Sequence, residues 1–243
     1  MIPFEALQDK KGDYLAQRAT VSIAPSATVL TILRREPEGE MSKTFLGVAF
    51  SRAGDELLAS AKTRGIAELR GANIEPLRYS REEVTETDAA LGGHCVILDG
   101  ARASEVALKA EPLSEFKVID LAAHGFGDEL QPNRAAIVLN PGGPLEDGLW
   151  QAREIRHTRL NADTVVLSAC ETGTGRLQGE EGIMNLARAF LTAGAKSVVA
   201  SLWDVDDRST ATLMEGFYRH LAKGESIRPG IEVLATGLHQ NVR

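Results

Sequence analysis

TVVLSACETGTG, residues 164–175, opens as an apolar run and breaks into a polar, glycine-rich turn. A run without polar alternation is how a strand covered on both faces reads, and such strands belong to parallel sheets. Cys170 therefore stands where a buried strand ends and a loop begins. Runs of the same kind recur at TFLGVAF (44–50), HCVIL (94–98), FKVIDLAA (116–123) and SVVASLW (197–203). Helical periodicity fills the intervals. Ile183, Leu186, Ala187, Phe190 and Leu191 fall at i, i+3, i+4, i+7 and i+8 and are followed by Gly194, the residue type best suited to end a helix. After the last run, Asp206 or Asp207 can cap a helix whose inner face is Leu213, Phe217 and Leu221.

Strands alternating with helices need right-handed crossovers and predict an α/β chain in three layers, a mostly parallel sheet with helices on both faces. Residues 1–40 differ: FEALQ, YLAQRATVSIAPS and a short helix over 26–35 predict a small antiparallel element at the N-terminus. The main sheet is expected over 41–225 and a tail or helix over 226–243, all within one domain, 1–243. Gly125 to Gly148, broken by QPN and NPGGP, reads as the widest irregular stretch.

Composition narrows the function. With 243 residues, 43% hydrophobic and 25% charged, the chain is an ordinary globular protein, long enough for one sizeable core. A net charge of −7 argues against a general nucleic-acid surface. The longest apolar runs fall far short of a membrane span, and the start MIPFEALQDKKGDY has no basic region before an apolar block, so no secretory signal is expected. Two cysteines make no disulfide framework and fit a reducing, cytoplasmic setting. Cys and His show no metal-ligand spacing, and the glycine-rich stretches lack the phosphate-cradling patterns, so neither metal nor cofactor is expected.

Reactive groups in an open parallel sheet gather beyond the C-terminal ends of its strands. Two strands here lead into such groups: VIDLAAHG into His124 and Gly125, and TVVLSACETG into Cys170. A thiolate beside an imidazole is the minimum for nucleophilic catalysis. A glycine after the histidine lets its N–H approach an oxyanion, with the Cys170 N–H as second donor. The plainer reading stays open on the residues alone, since free cysteine is among the most buried residue types. Cys95 is an internal control: it directly follows His94, and adjacent strand residues point to opposite faces, so those two make no dyad. His157, His220 and His239 lie near helix faces or ends and read as structural or solvated.

LAAHGF, GLWQAREIRHTRLNADTVVLSACETGTG and GEEGIMNLARAFLTAGAKSVVASLWDVDDRSTATLMEGFYRHLAKG together resemble a CHAT domain, the caspase-like peptidase module often attached to tetratricopeptide repeats. Upstream, VSIAPSATVL and ILDGARASEVAL extend the resemblance over about residues 1–225. It implies a caspase-like fold and a cysteine endopeptidase with His124 and Cys170 as the dyad. Its substrate would be a protein or peptide, and an attached or partner sensor or repeat module would activate it, ordering the loops 125–148 and 171–182. LWDVDD resembles separase, where the loop after that strand helps line the pocket for the residue before the cut bond. Trp203, Asp204 and Asp206 are then candidate substrate-binding residues selecting arginine over lysine, with helix capping the alternative for Asp204. A non-catalytic interaction domain on the same fold is the competing function. A nucleotide-dependent enzyme is remote, for want of a phosphate motif.

Overall fold

The structure, a computed structural model, describes residues 7–15, 22–33, 41–51, 76–126, 131–142, 146–168, 179–200, 207–224 and 230–233. Strands β1 (Ser22–Ile23), β2 (Lys43–Ala49), β3 (Cys95–Asp99), β4 (Phe116–Ala122), β8 (Thr164–Leu167), β9 (Ser197–Ala200) and β10 (Gly230–Val233) form one sheet. Its order is β1-β10-β9-β8-β4-β2-β3, and every pairing is parallel except that of β1 with β10. β5 (Gly125–Phe126), β6 (Ala136–Val138) and β7 (Leu149–Gln151) make a second, antiparallel sheet.

Strand alternation splits the core into two layers. Leu46, Val48, Ile119, Leu121, Val165, Leu167, Val198 and Ala200 face one side, which carries the second sheet and helix α5 (Gly179–Ala193). Phe45, Ala49, Val118, Ala122, Val166 and Val199 face the other, against α2 (Ser80–Leu91) and α6 (Asp207–Ala222). The remaining α-helices among the described residues are α1 (Ala27–Leu33), α3 (Glu105–Ala110) and α4 (Ala152–Ile155). Apolar contact on both faces is why the strands carry no polar alternation. The three-layer, mostly parallel α/β fold expected from the sequence is the fold found.

Three elements differ from expectation. The stretch 125–148 is not simply irregular: it contains β5 and β6, and Trp150 of β7 packs edge-on against Phe190 at 5.5 Å. These strands are two or three residues long, too short for any period to show. Glu105, fully buried, accepts from the Gly148 N–H at 2.9 Å and pairs with Lys109 at 2.7 Å, fixing the connection into β7. On α6 the deepest residues are Thr210, Met214 and Tyr218, while Leu213, Phe217 and Leu221 are half-buried beside them. A reading by aliphatic content misplaces that face because two of its three deepest residues are a threonine and a tyrosine. Within 226–243, Gly230–Val233 is a strand of the main sheet.

Gly194 ends α5 at φ +112°. Ala195 N donates to Phe190 O at 3.0 Å and Gly194 N to Leu191 O at 3.2 Å, the paired bonds of a Schellman ending. A Cβ at this position would lie 2.3 Å from the Leu160 carbonyl oxygen. Gly194→Ala is therefore expected to cost about 3 kcal/mol or more, from the left-handed backbone and the backbone clash together. Thermal melting checks this, and an unchanged Tm would refute the account.

Candidate functional site

The parallel ladders set a common level across three neighbouring strands. Leu121 of β4 is paired with Leu167 of β8, and Leu167 with Ala200 of β9. His124, Cys170 and Trp203 each follow one of those residues by three positions in the sequence. The structure describes His124 and Gly125; Cys170, Trp203, Asp204 and Asp206 lie outside the described residues.

His124 is fully buried. It leaves β4 and leads directly into β5, and its carbonyl accepts from Val138 N at 2.8 Å. That bond makes Gly125 and Ile137 a non-hydrogen-bonded pair of the antiparallel ladder, so the Gly125 N–H lies outside the β5–β6 bonding. A Cβ on Gly125 would meet only Leu186, Ile137 and Ile183 side chains, at 3.6–3.7 Å, which is ordinary contact. Glycine is not demanded there by space.

The surroundings of the control thiol disfavour its thiolate. Cys95 is half-buried on the edge strand β3, and its Sγ lies 3.3 Å from the Gly92 carbonyl. Burial, aided by Asp88, pushes its pKa up to about 12. His94, His157 and His220 are exposed, and the His157 Nδ1 lies 2.7 Å from the Arg153 carbonyl. His239 lies outside the described residues. Among the described residues, no group of three His, Cys, Asp or Glu side chains is arranged to hold a metal ion. No described helix is long and apolar enough to cross a membrane.

One polar cluster escaped the sequence reading. Asp120, in the middle of β4, is fully buried, as are Ser168 just after β8, Tyr218 of α6 and, at 5% exposure, Glu83 of α2. The Asp120 carboxyl interacts with Tyr218, Glu83 and Ser168, though at none of them with strict hydrogen-bond geometry. Burial, opposed by those contacts, pushes its pKa up to about 7. Burial also drives Tyr218 well above its usual value, with the Asp120 and Glu83 charges adding to the shift. The signal was present: Asp120 is a lone acid in the apolar run VIDLAA, and acids are almost never buried without partners.

A carboxyl raised in the folded state stabilises the fold below its unfolded pKa, and that contribution is lost as pH rises through the folded value. For Asp120 the window runs from the ordinary aspartate value of 3.8 to about 7. Melting temperature is expected to fall over that interval, and Asp120→Asn to flatten the fall. Identical slopes for variant and parent would show that Asp120 does not titrate there.

Compared with known proteins, residues 1–231 match the family described as CHAT domain. Over 81 residues, 33% of its length, the chain is 36% identical to tetratricopeptide repeat protein 28 of Mus musculus. Over the same number of residues it is 32% identical to the Homo sapiens protein of that name. The matched stretch is 3% of the length of either relative. With a family match over nearly its whole length and a parallel sheet flanked by a small antiparallel one, the chain belongs to the CHAT domain family, whose fold is caspase-like.

Proposed function

We propose that this CHAT domain is a cysteine endopeptidase in which His124 serves Cys170 as general acid and base. The observation that carries the reading is the strand register: Leu121 and Leu167 are paired, and the histidine and cysteine follow them at equal intervals. Adjacent strands stand about 4.8 Å apart, so equal intervals favour a thiol and an imidazole within reach of each other. The Gly125 N–H, outside the β5–β6 ladder, and the Cys170 N–H are the proposed oxyanion donors. Cleavage follows arginine in preference to lysine, with Asp204 as the carboxylate partner and Trp203 and Asp206 lining the pocket.

Activation belongs to the same proposal. His124 exposes no surface to solvent, so a peptide reaches it only after the groups packed over it withdraw. The name of both relatives, tetratricopeptide repeat protein 28, supports a tetratricopeptide repeat module as the attached or partner element that drives this. The test is a thiol-directed peptide probe applied to the wild type and to His124→Ala. Labelling of Cys170 that depends on His124 supports a working dyad. Labelling indifferent to His124 favours the competing function, a non-catalytic interaction domain.

A further inference from the structure

The β5–β6–β7 sheet, whose first strand follows His124 directly, is too short to fix its own register. β5 has two residues, and β6 and β7 have three each, so neither a long ladder nor an apolar alternation penalises a slip. The loop end of the β6–β7 pair is instead held on both strands from outside, by Glu105 at the start of α3. On the β6 side, the Glu105 N–H donates to the Asn140 carbonyl at 3.1 Å, and the Asn140 N–H donates to Ala103 O at 2.8 Å. The Asn140 side chain adds a bond from Nδ2 to the Gly100 carbonyl at 2.8 Å. On the β7 side, Glu105 Oε2 accepts from the Gly148 N–H at 2.9 Å. The Gly148 carbonyl in turn accepts from Leu139 N at 2.8 Å, and the next residue back, Val138, donates to the His124 carbonyl at 2.8 Å.

We propose that Glu105, held by Lys109, is a positioning residue that fixes the register of β6 and β7 and through it the backbone of His124 and Gly125. The inference deepens the dyad reading and rests on it for what His124 does. The Glu105 side chain is buried, and its two oxygens are divided. Oε2 serves Gly148, while Oε1 lies 2.7 Å from Lys109 Nζ. Lys109 also reaches Glu146 at 2.6 Å and Glu154 at 3.9 Å, so carboxylates from α3, the stretch before β7 and α4 meet at one ammonium. Stability alone is a weak account of such a group, since apolar side chains of similar volume often replace a buried ion pair at no cost. What the carboxylate supplies and a leucine cannot is a directional acceptor for one particular N–H. A slip of one residue would take Gly148 off Glu105 and leave a buried acceptor without its donor. The same slip would take the Val138 N–H off the His124 carbonyl and displace the partner of Gly125. The register that satisfies Glu105 is the one that places His124.

The experiment reads the position of His124 and not hydrolysis, so its failure is distinct from failure of the peptidase reading. The full chain with labelled histidine is followed by NMR at pH 8, above the value of about 7 to which burial raises the Glu105 carboxyl. His124→Ala assigns the His124 ring signal, and amide exchange at Val138 and Leu139 is measured alongside. Glu105→Leu keeps an apolar volume and deletes the acceptor. It should speed exchange at both amides by about tenfold or more relative to Leu46 and Leu121 of the main sheet, and the His124 ring signal should move. Glu105→Gln returns an acceptor to Gly148 and should bring both readings back toward wild type. Met214→Ala opens a cavity in the other layer of the core and controls for general loss of stability; it should leave the His124 signal in place. If Glu105→Leu leaves both readings at wild type, or changes them no more than Met214→Ala does, Glu105 is structural only and the proposal falls. Should Glu105→Leu fail to fold, Lys109→Met, which unties Glu105 from Glu146, decides by the same two readings. A His124 signal that moves in Glu105→Leu, while labelling of Cys170 stays indifferent to His124, would keep the positioning role and sink the dyad.

Discussion

Replacing Cys170 with alanine is expected to abolish peptide cleavage and leave the fold intact. The nucleophile is the one group no neighbour replaces, and loss of a covalent nucleophile removes most of the rate enhancement. Folding should survive because one small side chain is removed beyond the end of β8, while the core rows Val165–Leu167 and Val198–Ala200 stay whole. His124→Ala should lose cleavage comparably, since residues acting as a unit do not contribute additively. It will also lose stability, because His124 is fully buried and its removal leaves a cavity. Melting curves separate the two effects: cleavage must vanish at temperatures where the variant is still folded. Activity of Cys170→Ala within about tenfold of wild type would end the assignment.

Asp204→Asn is expected to have the second large effect if cleavage follows arginine as proposed. A guanidinium drawn from water into a pocket needs a carboxylate, and removing that partner costs about 2–4 kcal/mol in kcat/KM for arginine substrates. Lysine substrates should suffer less, because an ammonium cannot form the two parallel bonds of the arginine fork. Alkylation of Cys170 should be nearly unchanged, which distinguishes a pocket lesion from a damaged nucleophile. A peptide-library profile centred on aspartate, or indifferent to the residue before the cut bond, would reduce Asp204 to a helix cap.

The parallel strands were legible because burial on both faces writes itself as unbroken apolar runs. TFLGVAF and FKVIDLAA match Lys43–Ala49 and Phe116–Ala122 within a residue at each end. The antiparallel sheet was not legible, since Gly125–Phe126 and Leu149–Gln151 are shorter than one repeat of any pattern. Tyr218 hid the true face of α6: a fully buried phenol counts as apolar only once its hydroxyl has a place among other polar groups. For the site, sequence reasoning located His124 at a strand end but gave no hint of its complete burial. It also passed over Asp120, because a search for reactive residues looks past strand ends and not into the middle of a strand.

The β1–β10 ladder pairs Ser22 with Glu232 and Ile23 with Ile231, and this has a consequence for biosynthesis. A chain emerges from the ribosome N-terminus first, so β1 must wait until Ile231 and Glu232 have been made before it finds its partner. β10 is also the strand that covers β9 on the side away from β8. Between the synthesis of residue 200 and residue 233, β9 presents Ser197–Ala200 as a bare edge able to template pairing with another chain. Closing so long a loop adds little free energy, because the entropic term grows only logarithmically with length. Delay is the greater hazard, since non-local ladders form late. Any condition that slows elongation between residues 200 and 233 should therefore raise the aggregated fraction without altering the stability of the folded domain.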